Sequence, residues 1–482
     1  MSDDVAFQVK NELPTTVDKS IERRLLWKID LTLMPLLFVS YGLQFFDKAA
    51  FGNAAVFGLL EDMDLTSERY SNATSVFYWG YITSLLFHPF ALQKLPIGKY
   101  LSVSILVWGA LTVVTIAVHS YPGIMVQRLI LGIVEAVVSP GFVILSSMWY
   151  KKSEQPIRLA IWYSSTGIFT IFSGALNYGI GSAASKPSST IEPWKAIYIF
   201  AGSWTMLHAL IMLFLLPDNP LKARLLTHEE RLVAVARIRD NMTGIESKRW
   251  KWSHVWECFR DPQVYAYFLL STAIYMVNGP VTAFGAQIIK SFGYSSLKTI
   301  LMTMPGGATT ALSIWITAWI AMKCRNTRLV LLIISCLPVI VGAAIIWRAS
   351  WNSRGVPLFG YYLLPIFGAP YVMILATNTS NVAGATKKKV TASIIFIGYN
   401  VGNIASPYLV DTTTASSHYP KAWIGVIVAM CIAILVAALL LVYFILENRR
   451  RDQADISEKS INELAFRDMT DIQNRCVRLH DN

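Results

Sequence analysis

Residues 128–158 read RLILGIVEAVVSPGFVILSSMWYKKSEQPIR. The first two-thirds form an apolar run long enough to cross a bilayer, yet Arg128 and Glu135 sit inside it. An ionisable side chain at membrane depth costs about 2.5–3.5 kcal/mol or more and marks a functional position by default. The two lie two helical turns apart, so they share one face at a separation of roughly 10 Å. The segment reads as a transmembrane helix that lines a polar path.

The rest of the chain agrees. It is 54% hydrophobic and 15% charged, against about 45–50% and about 25% in soluble domains. The excess is gathered into twelve runs: about 31–57, 73–95, 100–119, 123–147, 158–180, 196–216, 264–287, 300–322, 328–347, 357–378, 390–410 and 422–446. The 158–180 and 390–410 runs are richer in Gly, Ser and Asn and are the least membrane-like. The first 30 residues are polar and lack the apolar core of a cleavable signal peptide, so the first span is expected to direct its own insertion.

The net charge of +12 does not read as a nucleic-acid surface, because the positives fall where topology needs them. One side carries Arg23, Arg24 and Lys28, then Lys94 and Lys99, Lys151, Lys152 and Arg158, the Lys/Arg cluster between Lys222 and Arg260, Lys323, Arg325 and Arg328, Lys387 to Lys389, and Arg449 to Arg451. The other side has scattered single positives and an acidic first loop. The positive-inside rule then places both termini in the cytosol. The five cysteines show neither disulfide nor metal spacing. Asn72-Ala-Thr74 is a glycosylation sequon on the outer side, close against span two.

The polar insert 217–263 divides the spans six and six, giving expected units of 1–30 (tail), 31–216 (first bundle), 217–263 (central loop), 264–446 (second bundle) and 447–482 (tail). Thr227 and Glu230 form a capping box ahead of LVAVARIRD, whose apolar face (Leu232, Val233, Val235, Ala236) suits the membrane surface or the bundle; a simple tether is the competing reading. Each half carries a Lys-rich loop before its fifth span, and each fifth span holds two glycines, Gly167 and Gly174, Gly398 and Gly402. Parallel six-span repeats are the signature of one class of secondary transporter, with the substrate bound at mid-membrane between the halves. The C-terminal ISEKSINELAFRDM could form a short amphipathic helix, although a solvated tail is the simpler expectation.

The candidate site residues follow from depth. Asp47 and Lys48 in span one match Arg128 in depth, so an Asp47–Arg128 pair is expected, with Glu135 nearer the midplane. The four charges sum to zero. Protonating Glu135 leaves +1, a state that welcomes a monovalent anion, and anion and proton then favour each other reciprocally. A permanent Arg–Glu ion pair is the competing reading, and for Asp47 and Lys48 a wide vestibule with Lys48 snorkelling. His88 is a candidate proton relay or a histidine bonded to a neighbouring helix. Asn400 and Asn403 share a face of span eleven; Tyr275, Asn278 and Gln287 add polar groups to span seven; Tyr78 and Tyr81 are placed to face a cavity. Trp149 and Tyr150 read as interfacial anchors. No catalytic constellation, nucleotide loop or metal cluster is present, so neither an enzyme nor a cofactor is expected, and an ion gradient is the remaining power source.

The series Arg128…Gly132…Glu135-Ala136…Pro140-Gly141…Trp149-Tyr150…Glu154-Gln155…Arg158 resembles the fungal anion:cation symporters of the major facilitator superfamily, the allantoate permease group. Asp47-Lys48 with Asn53-Ala54, Phe77-Tyr78-Trp79-Gly80-Tyr81 with Pro89, Leu216-Pro217-Asp218 with Pro220, Leu226-Thr227 with Glu229-Glu230-Arg231, and Gly398…Asn400…Gly402-Asn403-Ile404…Pro407 carry the resemblance along nearly the whole chain. It implies an all-α membrane protein with the major facilitator fold, twelve transmembrane helices in two six-helix bundles. It also implies uptake of a small organic anion with protons across a fungal plasma membrane, the substrates being of the allantoate, ureidosuccinate, vitamin carboxylate, cysteine or dipeptide classes. One departure stands out: the loop QKLPIGKY lacks the acidic residue of the superfamily's GxLaDrxGrr motif. The expected reading is a monomeric alternating-access symporter. Arg128, Lys48, Tyr81, Tyr275, Asn278, Asn400 and Asn403 are candidates for substrate, and Glu135, Asp47 and His88 for protons. A drug or metabolite exporter and a non-transporting nutrient sensor are the alternatives.

Overall fold

The computed structural model describes residues 19–85, 87–151, 154–186, 189–243, 251–324, 326–452 and 470–472. The described chain is helical. Its first half contains α1 (Lys19–Ala55), α2 (Ser67–Ser84), α3 (His88–Lys94), α4 (Ile97–Val114), α5 (Tyr121–Glu135), α6 (Val138–Trp149), α7 (Gln155–Ala184) and α8 (Pro193–Leu215). Two shorter helices, α9 (His228–Thr243) and α10 (Trp252–Cys258), bridge to the second half. There follow α11 (Pro262–Tyr275), α12 (Gly285–Ser291), α13 (Ser296–Lys323), α14 (Arg328–Arg348), α15 (Gly355–Leu363), α16 (Gly368–Asn381), α17 (Ala385–Ala405) and α18 (Pro420–Asp452).

Among the described residues, ten helices are long and apolar enough to cross a membrane. The other two spans, α2 with α3 and α17, carry more polar residues and pack against each other across the two halves. On α18 the exposed side chains Ile424, Val428, Ile432, Leu435, Leu439 and Val442 recur at helical spacing, a lipid-facing stripe. The apolar interior forms two large clusters. One draws on the first half, with Leu37, Phe46, Trp108, Phe142 and Met212. The other is built mainly from the second half, with Ile274, Leu332, Trp423 and Met430, but takes in Phe51, Tyr70 and Trp194. Those three lie at the end of the bundle away from the chain termini, called here the far end, where the second core closes across both halves.

Interruptions fall where proline removes a backbone donor. The fourth span breaks between α5 and α6, directly after Glu135 and ahead of Pro140. The seventh span passes through a π turn at Gly279–Ala283, beginning beside Pro280; such turns inside helices gather at functional sites. The 158–180 stretch is one unbroken span. Its glycine explains its composition: α7 packs against α13, and a Cβ on Gly307 would stand 2.5 Å from the Gly167 carbonyl oxygen and 2.7 Å from Thr170 Cβ. Backbone meets backbone here, so nothing flexible can yield. Gly307→Val is expected to lower the melting temperature of the purified protein by several degrees, in line with the ~1–3 kcal/mol of overpacking, and to abolish transport. Gly307→Ala should fall between the two, and a valine variant that melts like the parent would sink the reading.

The capping box forms as the sequence predicts: Glu230 N donates to Thr227 Oγ1 at 3.3 Å and Thr227 N to Glu230 Oε2 at 2.8 Å. The helix it starts is no loose tether. On α9, Val233 packs against the first-half core, and buried Arg237 pairs with Glu22 of α1 and Glu154. Lys28 bonds Glu230 and holds its carboxyl below the usual range. The next helix, α10, belongs to the other half: Lys251 N donates to Thr386 Oγ1, and Glu257 pairs with Lys387.

Three expectations change. Trp149 and Tyr150 stand at the end of the fourth span but are buried in the first half, with the Arg158 guanidinium over the Tyr150 ring, so their side chains pack inward instead of lying exposed as anchors. The tail is not wholly solvated, since Thr470 and Asp471 are buried against the bundle; the ISEKSINELAFRDM helix lies outside the described residues. The corner around QKLPIGKY, which lacks its own acid, receives one from elsewhere: Asp218 Oδ1 accepts from Lys99 N at the start of α4, where the helix dipole favours a negative charge.

Candidate functional site

By the rise of 1.5 Å per residue, Asp47 lies about 12 Å from the far end of α1 and Arg128 about 10 Å from the far end of α5, at matching depth. They nevertheless do not pair directly. Asp47 points into the first half, where Trp108 Nε1 donates to its Oδ2 at 3.3 Å and Thr112 Oγ1 to its Oδ1 at 3.1 Å. Arg128 turns toward the boundary between the halves. Its guanidinium lies between two rings, 4.5 Å from the Phe51 centroid and 4.7 Å from that of Phe77, and Nε reaches the Ala73 carbonyl at 3.4 Å. A planar delocalised cation suits such a slot, and the aromatic faces offset part of its burial.

The ion pair at the site is Lys48–Glu135, with Nζ 3.2 Å from Oε1. Tyr81 OH donates to the same oxygen at 2.7 Å, and Gln44 Nε2 donates to Tyr81 OH at 3.0 Å. Glu135 Oε2 is buried and has no hydrogen-bond partner among the described residues. A buried carboxylate oxygen left bare is expensive, so this carboxyl is half-satisfied as an anion.

Between the halves, Lys48, Phe51, Tyr78, Arg128, Asn278 and Asn403 line a cavity of about 20 Å³, room for the centre of a single water. Opposite Arg128, Asn278 Nδ2 donates to Asn403 Oδ1 at 2.6 Å and to Tyr78 OH at 3.3 Å, while Thr282 Oγ1 donates to Asn278 Oδ1 at 2.7 Å. The π turn carries this wall. A cavity so small admits no metabolite, so binding requires the halves to part.

Hydrogen bonds join the halves at the far end. Tyr70 OH donates to the Ala283 carbonyl at 2.7 Å, Ser71 Oγ to Pro407 O at 3.1 Å and Ser75 Oγ to Ile404 O at 2.8 Å. Asn72 of the sequon is engaged by two tyrosines, donating to Tyr121 OH and accepting from Tyr408 OH. Toward the terminal end the cavity is floored by aromatic rings from both halves: Tyr81 and Phe396 (6.2 Å between centroids), Tyr78 and Tyr399 (6.3 Å), Tyr275 and Tyr399 (4.2 Å). Tyr163 OH and Tyr275 OH are 3.4 Å apart across the boundary.

The structure thus brings Lys48, Tyr81, Arg128, Glu135, Asn278 and Asn403 together and puts Tyr275 in the aromatic floor. It sets three expected residues apart. Asn400 is buried off the cavity and bonds Phe396 O. Asp47 is behind the wall. His88 lies between α3, α4 and α5, with Nε2 against Ile133 O and Nδ1 against Tyr100 OH, each at 2.7 Å. A carbonyl only accepts, so Nε2 donates and Nδ1 accepts from the tyrosine. The rings that clamp Arg128 escaped the sequence reading, as did Tyr163, Phe396 and Tyr399 of the floor, although Tyr41, Gln44, Lys48 and Phe51 recur at helical spacing on α1 and mark that face.

Paired polar walls at mid-bundle, an aromatic floor and a sealed far end between two six-helix halves are the anatomy of a carrier. The sequence profile described as the Major Facilitator Superfamily matches residues 37–407. The chain belongs to the major facilitator superfamily. Within it, an uncharacterised transporter of Schizosaccharomyces pombe is 34% identical over 94% of this chain and 86% of its own length. The allantoate permease of Saccharomyces cerevisiae is 31% identical, covering 94% and 85%, and a thiamine pathway transporter of the same yeast 30%, covering 94% and 86%. A solved D-xylose–proton symporter shares the fold at a TM-score of 0.62 and 13% identity, over 85% of this chain and 97% of that one. This major facilitator chain therefore groups with fungal transporters, and it is a transporter, not an enzyme.

Proposed function

We propose that the protein imports a small organic anion together with a proton by alternating access. The observation that carries this reading is the division of labour between two cations. Lys48 is engaged by Glu135, whereas Arg128 faces the cavity with no acid in contact among the described ion pairs. With Asp47 ionised, the four site charges cancel. A substrate carboxylate on Arg128 would leave the site at −1, and a proton on Glu135 restores neutrality. Proton and anion therefore bind best together. The amide, hydroxyl and phenol groups of Asn278, Asn403, Thr282 and Tyr78 are placed to take the polar remainder of the substrate. An allantoate permease among the relatives and a proton symporter among the structural neighbours support the class of substrate and the driving ion.

The excess of Lys and Arg at the terminal end supports a cytosolic position for it. The far-end contacts then form the outer gate and the aromatic floor the inner one. Units 31–216 and 264–446 are the moving halves, and 217–263 the cytosolic loop between them. The reading extends to a monomer in the plasma membrane.

The test is uptake into proteoliposomes of labelled allantoate, nicotinate, pantothenate, biotin, cysteine and a dipeptide, with and without an inward proton gradient. Gradient-driven accumulation of one anion is expected. Efflux of structurally unrelated compounds, or no uptake of any anion by correctly oriented protein, would overturn the proposal in favour of an exporter or a sensor.

A further inference from the structure

The segment Thr470–Ile472 returns to the terminal end of the second half and fits there closely. Thr470 and Asp471 are essentially fully buried. Asp471 meets Lys387 Nζ at 2.9 Å, and the same ammonium touches Asp261 at 2.6 Å and Glu257 at 2.9 Å. Asp471 also accepts from Gln263 Nε2 at 2.8 Å and from Ala383 N at 3.2 Å, and its own carbonyl accepts from Arg451 Nη2 at 3.1 Å. Thr470 Oγ1 donates to Glu257 Oε2 at 2.9 Å. One short segment thus ties together α10 (Glu257), the cap of α11 (Asp261), the start of α17 (Ala383, Lys387) and the end of α18 (Arg451). Two of these helices continue toward the cavity: Asn403 belongs to α17, and Asn278 lies just beyond α11.

We propose that this segment is a latch and that Thr470 is a phosphorylation site whose modification opens it. A kinase would transfer the γ-phosphoryl of ATP to Thr470 Oγ1: an O–P bond forms, the bond to ADP breaks, and the hydroxyl proton passes to the kinase's base. Three consequences follow at the docked position. The esterified oxygen has no hydrogen, so the bond to Glu257 is lost. About −1.5 to −2 charges arrive at pH 7 within hydrogen-bond reach of Glu257. The neighbourhood already sets four carboxylates (Glu257, Asp261, Asp471 and Glu447) against the three cations Lys387, Arg450 and Arg451, so among the described ion pairs no cation is in surplus to receive the phosphate. Space fails as well: Thr470 is fully buried at the docked position. Because the docked threonine is inaccessible, the kinase meets it only with the latch out, and the added group then holds it out, a population shift. Arg467, three residues earlier in the sequence, supplies a basic residue that kinases with basic recognition sites can read.

The experiment is hydrogen exchange on the full-length protein in nanodiscs, following the peptide that contains Ala383, whose amide donates to Asp471. Four samples are compared: the parent, a chain ending at Asp452, Thr470→Glu and Thr470→Ser. Melting temperatures and elution profiles confirm that each is folded. Exchange is expected to rise at least tenfold at Ala383 in the shortened chain and in Thr470→Glu, and to stay within twofold of the parent in Thr470→Ser. Treatment of the parent with a basic-site kinase and ATP should place phosphate on Thr470 and give the same rise. An unchanged shortened chain would show that the segment is no latch. A Thr470→Glu variant that exchanges like the parent, or a kinase-treated protein unmodified at Thr470, would remove the phosphorylation switch.

Discussion

Glu135→Gln will convert a concentrating carrier into one that only equilibrates its substrate. Glutamine has the same shape, can accept from Tyr81 OH at the position of Glu135 Oε1, and leaves the packing of α5 alone. It cannot take up or release a proton. Lys48 then keeps its charge unpaired, and the site stands permanently at +1, the state that holds an anion. Substrate will bind and exchange, because neither step changes the proton count. Release into a compartment already rich in substrate will lose its driving force. In proteoliposomes with an inward proton gradient, the accumulation ratio should fall from well above ten to about one. Counterflow of labelled against unlabelled substrate should stay within roughly threefold of the parent, since no transition-state interaction has been removed. A variant that still accumulates substrate would show that the coupled proton lies elsewhere, and Asp47, the other buried carboxylate of the set, would be examined next.

The second large effect belongs to Arg128. Its guanidinium presents a planar fork, held over the Phe51 and Phe77 rings and suited to a carboxylate in bidentate contact. Lysine brings the charge but neither the plane nor the fork. Arg128→Lys is therefore expected to lower kcat/KM for the anion at least 100-fold, equivalent to about 2.7 kcal/mol, with most of the change in KM. Arg128→Ala should do the same or worse. The discriminating measurement uses the primary amide of the substrate as competitor. If Arg128 reads the carboxylate, the parent prefers the acid to the amide by a wide margin, and the variant shows little preference. Equal losses for acid and amide would instead make Arg128 a structural wedge between α2 and α5.

The two halves of this reading came from different kinds of signal. Charges were legible in the sequence because an ionisable residue within an apolar run is rare and costly, so Lys48, Arg128 and Glu135 announced themselves at once, as did the twelve-span architecture. Pairing was not legible. Arg128 and Asp47 match in depth, but depth on two helices leaves rotation about each axis open, and rotation sends Asp47 to Trp108 and Thr112 while Lys48 takes Glu135. The residues of α4 that receive Asp47 lie in a span without a single charge at that depth, so nothing marked them. Aromatic residues are common in membrane helices, which hid Phe51 and Phe77 as partners of Arg128. The same ambiguity covered His88, whose composition fits a proton relay and whose surroundings are two ordinary hydrogen bonds. Asp471 was invisible for the opposite reason: one acid in a polar tail looks like any other until Lys387, more than eighty residues away, is seen with its ammonium buried.

The far-end seal bears on how such carriers diversify. Tyr70, Ser71 and Ser75 donate to main-chain carbonyls of the opposite half, and every residue type offers that acceptor. The side chains of Ile404 and Ala283 can therefore drift without breaking the seal, as long as the backbone keeps its path. The cavity side chains Asn278, Asn403 and Tyr78 take no part in these three far-end hydrogen bonds. Lineages can then exchange one substrate for another through substitutions in the cavity, while this end of the carrier keeps its closure.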